Sequence, residues 1–148
     1  MKIRFPKSYS KYIDAMFEVG ILRQEEDLAL MFKYGMQEVV QDLVQPSVEF
    51  PPDMPMSMLQ GKQIELEIPY ELSEDENENI EAIRKHFKIK REIILRAFFL
   101  QGLIDKWPFL KDTKRYKKDS RFRKLVDEMP HDLFFEEEFE DEEYEDYS

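Results

Sequence analysis

In the stretch 63–103, apolar and polar residues first alternate and then recur at helical spacing. Ile64, Leu66 and Ile68 have the period of a half-buried β-strand, which Pro69 ends because it has no backbone N–H to donate. The pattern predicts a short strand that stops at a fixed point.

Two amphipathic helices are predicted after this strand. Ser73 and Glu76 have the spacing of a capping box, in which each side chain satisfies a free backbone N–H at the start of a helix. The apolar residues of the first helix are Ile80, Ile83 and Phe87. The second helix starts near Lys90, and Gly102 is expected to destabilise its C-terminal end. Its apolar side consists of Ile94, Leu95, Phe98, Phe99 and Leu103.

The same pattern occurs earlier in the chain, since residues 13–36 match residues 80–103 without a gap. Matched pairs include Ile13 with Ile80, Leu28 with Leu95, Met31 with Phe98, Phe32 with Phe99 and Gly35 with Gly102. Upstream, Phe5-Pro6 falls on Ile68-Pro69, with four extra residues in the second copy. One unit of about 40 residues exposes too much apolar surface to be stable alone. Each copy therefore needs the other.

The first copy supplies equivalent elements. Residues 1–5 are predicted to form a strand with Lys2 and Arg4 on its polar face. Ser8 or Ser10 can cap the following helix, and Gly20 ends it. The second helix is predicted from about residue 23 to residue 43.

A short strand, a helix, a turn and a second helix that opens as basic-x-Glu resemble the ribbon-helix-helix family of DNA-binding proteins, over residues 1–43 and 63–105. The resemblance implies a mainly α fold, built as a tandem pseudo-dimer with a two-stranded antiparallel ribbon over a four-helix core. It implies double-stranded DNA as the partner, with the ribbon in the major groove, the second helices offering their N-termini to phosphate, and pseudo-dimers that assemble on adjacent sites.

The resemblance also names candidate DNA contacts. On the ribbon they are Lys2, Arg4 and Gln63, and at the helix N-termini they are Arg23, Lys90 and Arg91. The ribbon would also expose Glu65 and Glu67, which oppose phosphate. We expect these glutamates to form cross-strand charge pairs with Lys2 and Arg4, which would leave the ribbon without spare positive charge.

The remaining segments complete the predicted organisation, which divides the chain into 1–44, 45–62, 63–105, 106–126 and 127–148. Segment 45–62 is rich in Pro and Met and is interpreted as a linker or, less simply, as an adaptable contact surface. Segment 106–126 is a helical extension that begins with Trp107 as an anchor on the core. Its basic residues are interleaved with Tyr116 and Phe122. They form either a nucleic-acid contact, in which cations neutralise phosphates and the rings stack on bases, or a solvated face paired with acids of the tail. The candidate contacts are Lys114, Arg115, Lys117, Lys118 and Arg121.

Charge is unevenly distributed along the chain. The formal net charge is −11, from 22 basic and 33 acidic residues, but twelve of the acids lie from Asp127 onward, where there is no Lys or Arg. Residues 1–126 are therefore close to neutral. The tail is predicted to be disordered, and it is interpreted as a solubilising segment, a docking peptide for a protein partner, or a mimic of nucleic-acid charge that covers the basic extension.

No catalytic pattern is present in the sequence, which has no cysteine and two histidines. We expect no enzyme activity, no cofactor, no metal and no membrane span, and we expect a cytoplasmic protein. Two hypotheses of function follow. The first is a DNA-binding transcriptional regulator or a plasmid or phage accessory protein. The alternative is a protein-interaction module on the same fold that has lost DNA reading and acts through its acidic, aromatic tail.

Overall fold

The computed structural model describes residues 1–43 and 62–130 of the 148 residues. The chain is mainly helical with one small antiparallel sheet, which confirms the predicted class. The predicted linker at 45–62 lies outside the described residues, except for residue 62. The acidic tail from residue 131 also lies outside them. No helix in the described part is long and apolar enough to cross a membrane.

The sheet consists of two strands, β1 (Lys2–Pro6) and β2 (Gln63–Glu67). They run antiparallel, with Ile3 directly opposite Leu66. The strands alternate as their sequences predict. In β1, Ile3 and Phe5 are buried and Arg4 is exposed; in β2, Ile64 and Leu66 are half-buried, and the exposed residues are Glu65 and Glu67. The two segments that the repeat makes equivalent are thus paired with each other.

Helix α1 (Ser10–Glu18) follows β1 through a 3₁₀ turn at Lys7–Tyr9. The predicted cap by Ser8 or Ser10 is wrong. Ser10 lies inside the helix and donates its hydroxyl to the Lys7 carbonyl at 3.0 Å, because the 3₁₀ turn already engages the backbone groups that a cap would serve. The C-terminal end is as predicted. Gly20 has a positive φ of 86°, and the next N–H, of Ile21, returns to the Met16 carbonyl at 2.9 Å.

Helix α2 (Glu25–Asp42) begins later than residue 23, where the sequence predicts it. Asp27 causes the delay, because its carboxylate accepts the backbone N–H groups of Arg23 (2.8 Å) and Gln24 (3.3 Å) and so fixes Gln24 as the N-cap. Helix α3 (Glu74–Phe87) begins at the predicted capping box. The Ser73 hydroxyl accepts the N–H of Glu76 at 3.1 Å, and the Glu76 carboxylate accepts the N–H of Ser73 at 2.9 Å.

Helix α4 (Arg91–Lys106) crosses α2 at the centre of the core. The two backbones meet at Gly35 and Gly102. A Cβ on Gly35 would clash with the carbonyl oxygen of Phe98, and a Cβ on Gly102 would clash with that of Met31. Only residues without a side chain allow this crossing. The large side chains Phe32, Phe98 and Phe99 fill the space beside it and are fully buried.

A C-terminal extension packs against the first unit. It consists of a 3₁₀ helix (Trp107–Asp112), a short helix α5 (Lys114–Lys118) and helix α6 (Ser120–Pro130). Trp107 is buried, as its predicted role as an anchor requires. Its ring lies 4.8 Å from that of Tyr12 in α1, and its indole N–H donates to the Val126 carbonyl at 3.0 Å. Residues 127–130, which the sequence assigns to the disordered tail, belong to α6.

Candidate nucleic-acid interface

The outward face of the ribbon carries balanced charge. Lys2, Arg4, Glu65 and Glu67 are all exposed. The Nζ atom of Lys2 lies 3.6 Å from a carboxylate oxygen of Glu65, and Arg4 is directly opposite Glu65 in the register. Ion pairs in such open positions contribute about 0–1 kcal/mol. Their consequence here is electrostatic, because the cations of the ribbon are offset by acids on the same face.

Gln63, the third predicted ribbon contact, stands at the end of β2 opposite Pro6 and is half-buried. It therefore has less freedom to reach a base edge than an exposed glutamine would have. Of the three predicted ribbon contacts, Lys2 and Arg4 are fully on the outward face.

Arg96 lies beneath the ribbon, and sequence reasoning missed it. It is 5% exposed, and its Nε donates to the backbone carbonyl of Arg4 at 2.6 Å. Burial lowers the pKa of its guanidinium, and Arg4 adds to that effect, while Glu92 opposes it. The sequence contained one signal of this burial. Arg96 is a charged residue inside the apolar run of α4, at the position where the first copy has Ala29. Arg96 ties β1 to α4.

The turn between α1 and α2 is poorly suited to an anion. Arg23 directs its Nε to the Gly20 carbonyl at 3.3 Å. The first turn of α2 holds three acids, Glu25, Glu26 and Asp27, and the Asp27 carboxylate already occupies backbone N–H groups at the helix start. A phosphate there would meet negative charge. The predicted phosphate contact at Arg23 thus lies beside three acidic residues, which oppose the binding of phosphate.

The equivalent turn between α3 and α4 is strongly basic. We call it the basic corner, and it consists of Arg84, Lys85, Lys88, Lys90 and Arg91. Four of these residues line an open depression of about 440 Å³. Two have partners: Arg84 is paired with Glu81 at 2.9 Å, and Arg91 donates to the Asn77 side chain at 2.7 Å. The three lysines are exposed and form no ion pair with any described residue.

Lys88 has an unusual backbone conformation. Its φ of 57° and ψ of 48° lie in the left-handed region, and it is the only described residue other than glycine with a positive φ. That conformation costs an ordinary L-residue about 1 kcal/mol, which glycine avoids. The first copy uses Gly20 at its corresponding turn. Retaining a lysine here costs stability, and such sites often carry function.

A second basic surface lies on the extension. We call Lys114, Lys118 and Arg121 the extension patch. They line an open depression of about 670 Å³ between α5 and α6 and form no ion pair with described residues. Lys117 is also exposed, but it does not line this depression; its backbone carbonyl accepts a hydrogen bond from Arg123 at 2.8 Å.

Arg115 anchors the extension rather than extending into solvent. Its guanidinium lies 3.0 Å from Asp119 and 3.4 Å from Glu18 in α1. The hydrogen bond to Asp119 raises the pKa of Arg115, and the same bond lowers the pKa of the Asp119 carboxyl. Of the five predicted contacts in the extension, Arg115 is therefore a structural link between the extension and the first unit.

Tyr116 and Phe122, the two aromatic residues that lie among the cations of the extension, both make contacts within the protein. Phe122 is 4% exposed, and the Tyr116 hydroxyl donates to Asp127 at 2.8 Å. That hydrogen bond, with burial, raises the pKa of Tyr116. The idea that these rings stack on bases is therefore wrong for Phe122, whose ring is inside the core. Phe109, which is 55% exposed, lies apart in the 3₁₀ helix, and the cations of α5 and α6 are the candidate phosphate contacts of the extension.

The predicted site residues fall on three surfaces, namely the ribbon, the two helix turns and the extension. Among residues 1–43 and 62–130, no three acidic or histidine side chains are grouped as metal ligands. Comparison with family models, with curated proteins and with solved structures gave no match to this chain.

Proposed function

We propose that this protein binds double-stranded DNA as a single-chain pseudo-dimer of two ribbon-helix-helix units and acts as a transcriptional regulator or as a plasmid or phage accessory protein. The observation that carries the proposal is a reciprocity of contacts between the two copies. In a twofold interface, if residue i of one half contacts residue j of the other, then j of the first contacts i of the second.

The ribbon has this reciprocity. The alignment that places Phe5 on Ile68 also places Lys2, Ile3 and Arg4 on Glu65, Leu66 and Glu67. Ile3 is paired with Leu66, which is its own equivalent, while Lys2 is paired with Glu67 and Arg4 with Glu65. Exchanging the copies leaves this register unchanged. A twofold axis through the Ile3–Leu66 pair accounts for it.

The helix crossing has the same property. Gly35 lies against the Phe98 carbonyl, and Gly102, its equivalent, lies against the carbonyl of Met31, which is the equivalent of Phe98. Two independent sets of contacts, one in the sheet and one in the core, therefore obey one exchange rule. An accidental arrangement of similar helices has no reason to satisfy both.

DNA is the partner that the charge distribution favours. The basic corner presents three unpaired lysines beside the N-terminus of α4, where the helix dipole adds to their attraction for phosphate. The lysine at the strained position 88 adds to this argument. Because the ribbon is charge-balanced, we expect affinity to come from phosphate contacts, while Arg4 on the outward face contributes any preference between sequences.

Titration of a labelled duplex of about three helical turns, followed by fluorescence anisotropy over a range of salt concentrations, tests the proposal. The variant Lys85→Gln/Lys88→Gly/Lys90→Gln should bind more weakly on every sequence. Its plot of log affinity against log salt should be flatter by roughly 0.9 for each phosphate that the protein no longer neutralises. Because glycine relieves the strain at position 88, this variant should fold at least as stably as the wild type.

The matched control is Lys7→Gln/Lys11→Gln/Lys111→Gln, which removes the same charge from exposed positions outside the basic corner. It should retain most of the affinity. Absence of duplex binding by the wild type refutes the proposal, and an equal loss in the control shows that net charge alone, rather than the corner, sets affinity.

The second candidate function is a protein-interaction module. The ion pair between Lys2 and Glu65 favours this candidate, because the pair leaves Lys2 less available to contact DNA. Removing residues 131–148 leaves α6 intact and separates the two hypotheses. If the shortened protein gains DNA affinity and loses no protein partner, the tail is an inhibitor of DNA binding and the module hypothesis fails.

A further inference from the structure

The two helix turns that the repeat makes equivalent differ sharply in charge. The ungapped alignment sets the basic corner against its counterparts in the first unit: Phe17 for Arg84, Glu18 for Lys85, Ile21 for Lys88, Arg23 for Lys90 and Gln24 for Arg91. Five cations in one unit correspond to a single cation and an acid in the other. The twofold body therefore lacks positive charge at the corner of its first unit.

The extension joins the first unit at this very corner. Arg115 binds the carboxylate of Glu18 at 3.4 Å, so the extension is attached at the position where the second unit has Lys85. Trp107 against Tyr12, and the contacts of α6 with α1, hold it on the same helix. The extension patch is thereby brought to the side of the first unit that lacks cations.

We infer that the C-terminal extension replaces the missing phosphate-binding corner of the first unit, so that duplex DNA is held at two related places, by the basic corner on one side and by Lys114, Lys118 and Arg121 on the other. Arg115 is a positioning residue in this arrangement. Its guanidinium is used by Glu18 and Asp119, and it orients the patch through them. This inference rests on the proposed DNA binding.

The three patch residues suit a phosphate backbone better than a compact ligand. They line an open depression in which the acidic side chain, Asp119, is already bound by Arg115 and by the backbone N–H groups of Arg121 (3.0 Å) and Phe122 (3.2 Å). The cations therefore remain available without a competing local carboxylate. An open row of cations without buried donors matches the repeated charge of a duplex.

The test compares Lys114→Gln/Lys118→Gln/Arg121→Gln with the wild type in the same duplex titration. The triple variant should lose about tenfold or more in affinity, and its salt slope should fall by roughly two to three. Its thermal unfolding should be unchanged, because all three side chains are exposed. The fluorescence of the buried Trp107 reports whether the extension stays attached.

Rescue by Phe17→Arg in the triple variant makes the test specific to position. Phe17 is exposed, and this change gives the first unit the cation that the second unit has at Arg84 while it keeps the ion pair between Glu18 and Arg115. It should restore about one unit of salt slope. Glu78→Gln, which raises the net charge by the same amount at an exposed site of α3, is the control and should restore little.

Each outcome decides the inference. A reduced slope with rescue by Phe17→Arg alone supports it. Equal rescue by Glu78→Gln overturns it, because net charge would then explain the effect. If the triple variant binds like the wild type while the basic-corner variant does not, the inference fails and the proposed function stands. If the wild type does not bind duplex DNA, both fail.

Discussion

A methyl group added at the crossing of α2 and α4 tests the packing of the two units most severely. In Gly35→Ala the new Cβ would lie 2.6 Å from the backbone nitrogen of Gly102 and closer still to the Phe98 carbonyl oxygen. In Gly102→Ala it would lie 2.9 Å from the carbonyl carbon of Met31. All these atoms belong to the backbone, so no side-chain rotation can relieve the contact, and the helices must separate by roughly 1 Å.

Two opposing contributions determine how far each substitution changes the free energy of unfolding. Alanine is favoured over glycine inside a helix by about 1 kcal/mol. Overpacking of a rigid core costs about 3 kcal/mol at sites that cannot yield. We therefore expect each substitution to lower the free energy of unfolding by about 2 kcal/mol, or the Tm by roughly 8 °C. The double variant should cost less than the sum, because the gap opened by one methyl partly accommodates the other.

Urea unfolding followed by circular dichroism measures these differences. Gly20→Ala is the control, since its Cβ would meet no atom within 4 Å and only its backbone, at φ 86°, would be strained. It should cost about 1 kcal/mol. If Gly35→Ala and Gly102→Ala both raise stability, helix propensity outweighs packing and the close crossing is refuted.

Three further predictions concern single side chains. The Tyr70 hydroxyl donates to the Glu76 carboxylate at 2.6 Å, and burial raises the pKa of Tyr70. Burial alone would also raise the pKa of Glu76, but hydrogen bonds from Tyr70 and Ser73 hold that pKa below its ordinary 4.5. The stability difference between wild type and Tyr70→Phe should thus be largest above pH 4.5 and should shrink as the pH falls through the lowered value, because a protonated carboxyl accepts a weaker hydrogen bond. A constant difference in acid unfolding experiments argues against the bond. Arg96→Met should lower the free energy of unfolding by about 2 kcal/mol, because it leaves the Arg4 carbonyl unpaired, and no change in urea unfolding would contradict this. Trp107→Phe removes the hydrogen bond to α6 and should speed proteolysis within the extension, while equal cleavage rates would show that the anchor lies elsewhere.

The elements with local signals were predictable from the sequence. The alternation of apolar and polar residues defined both strands, and the capping box at Ser73 and Glu76 fixed the start of α3. Both patterns arise from interactions between residues that are close in sequence. The start of α1 was not predictable in this way. Two nearby serines looked equally suitable as caps, but the chain reaches α1 through a 3₁₀ turn that makes a cap unnecessary.

Features that depend on distant contacts escaped sequence reasoning. The apolar run around Arg96 signals that this residue is buried, but it does not identify the partner, which is a strand carbonyl far away in the chain. The basic extension could be identified by composition, but its attachment to Glu18 is made by Arg115 of α5, a residue far away in the chain. Phe122 likewise looked available for stacking until its burial was known. Local patterns specify elements, whereas tertiary packing decides which charged residues remain accessible.

The central claim is that one chain supplies both halves of the ribbon, and a cross-strand disulfide tests it directly. Arg4 and Glu65 are opposite each other as an exposed pair between the hydrogen-bonded pairs of the ladder, the geometry in which Cα atoms are closest. The chain contains no cysteine, so Arg4→Cys/Glu65→Cys introduces the only two thiols. Arg4→Cys/Leu66→Cys, whose side chains point to opposite faces, is the control.

The measurement is the loss of free thiols on mild oxidation, read together with the mass of the product on a non-reducing gel. The account predicts that Arg4→Cys/Glu65→Cys forms a disulfide within a single chain and that the control does not. Persistent free thiols, or disulfide-linked pairs of chains, would contradict it.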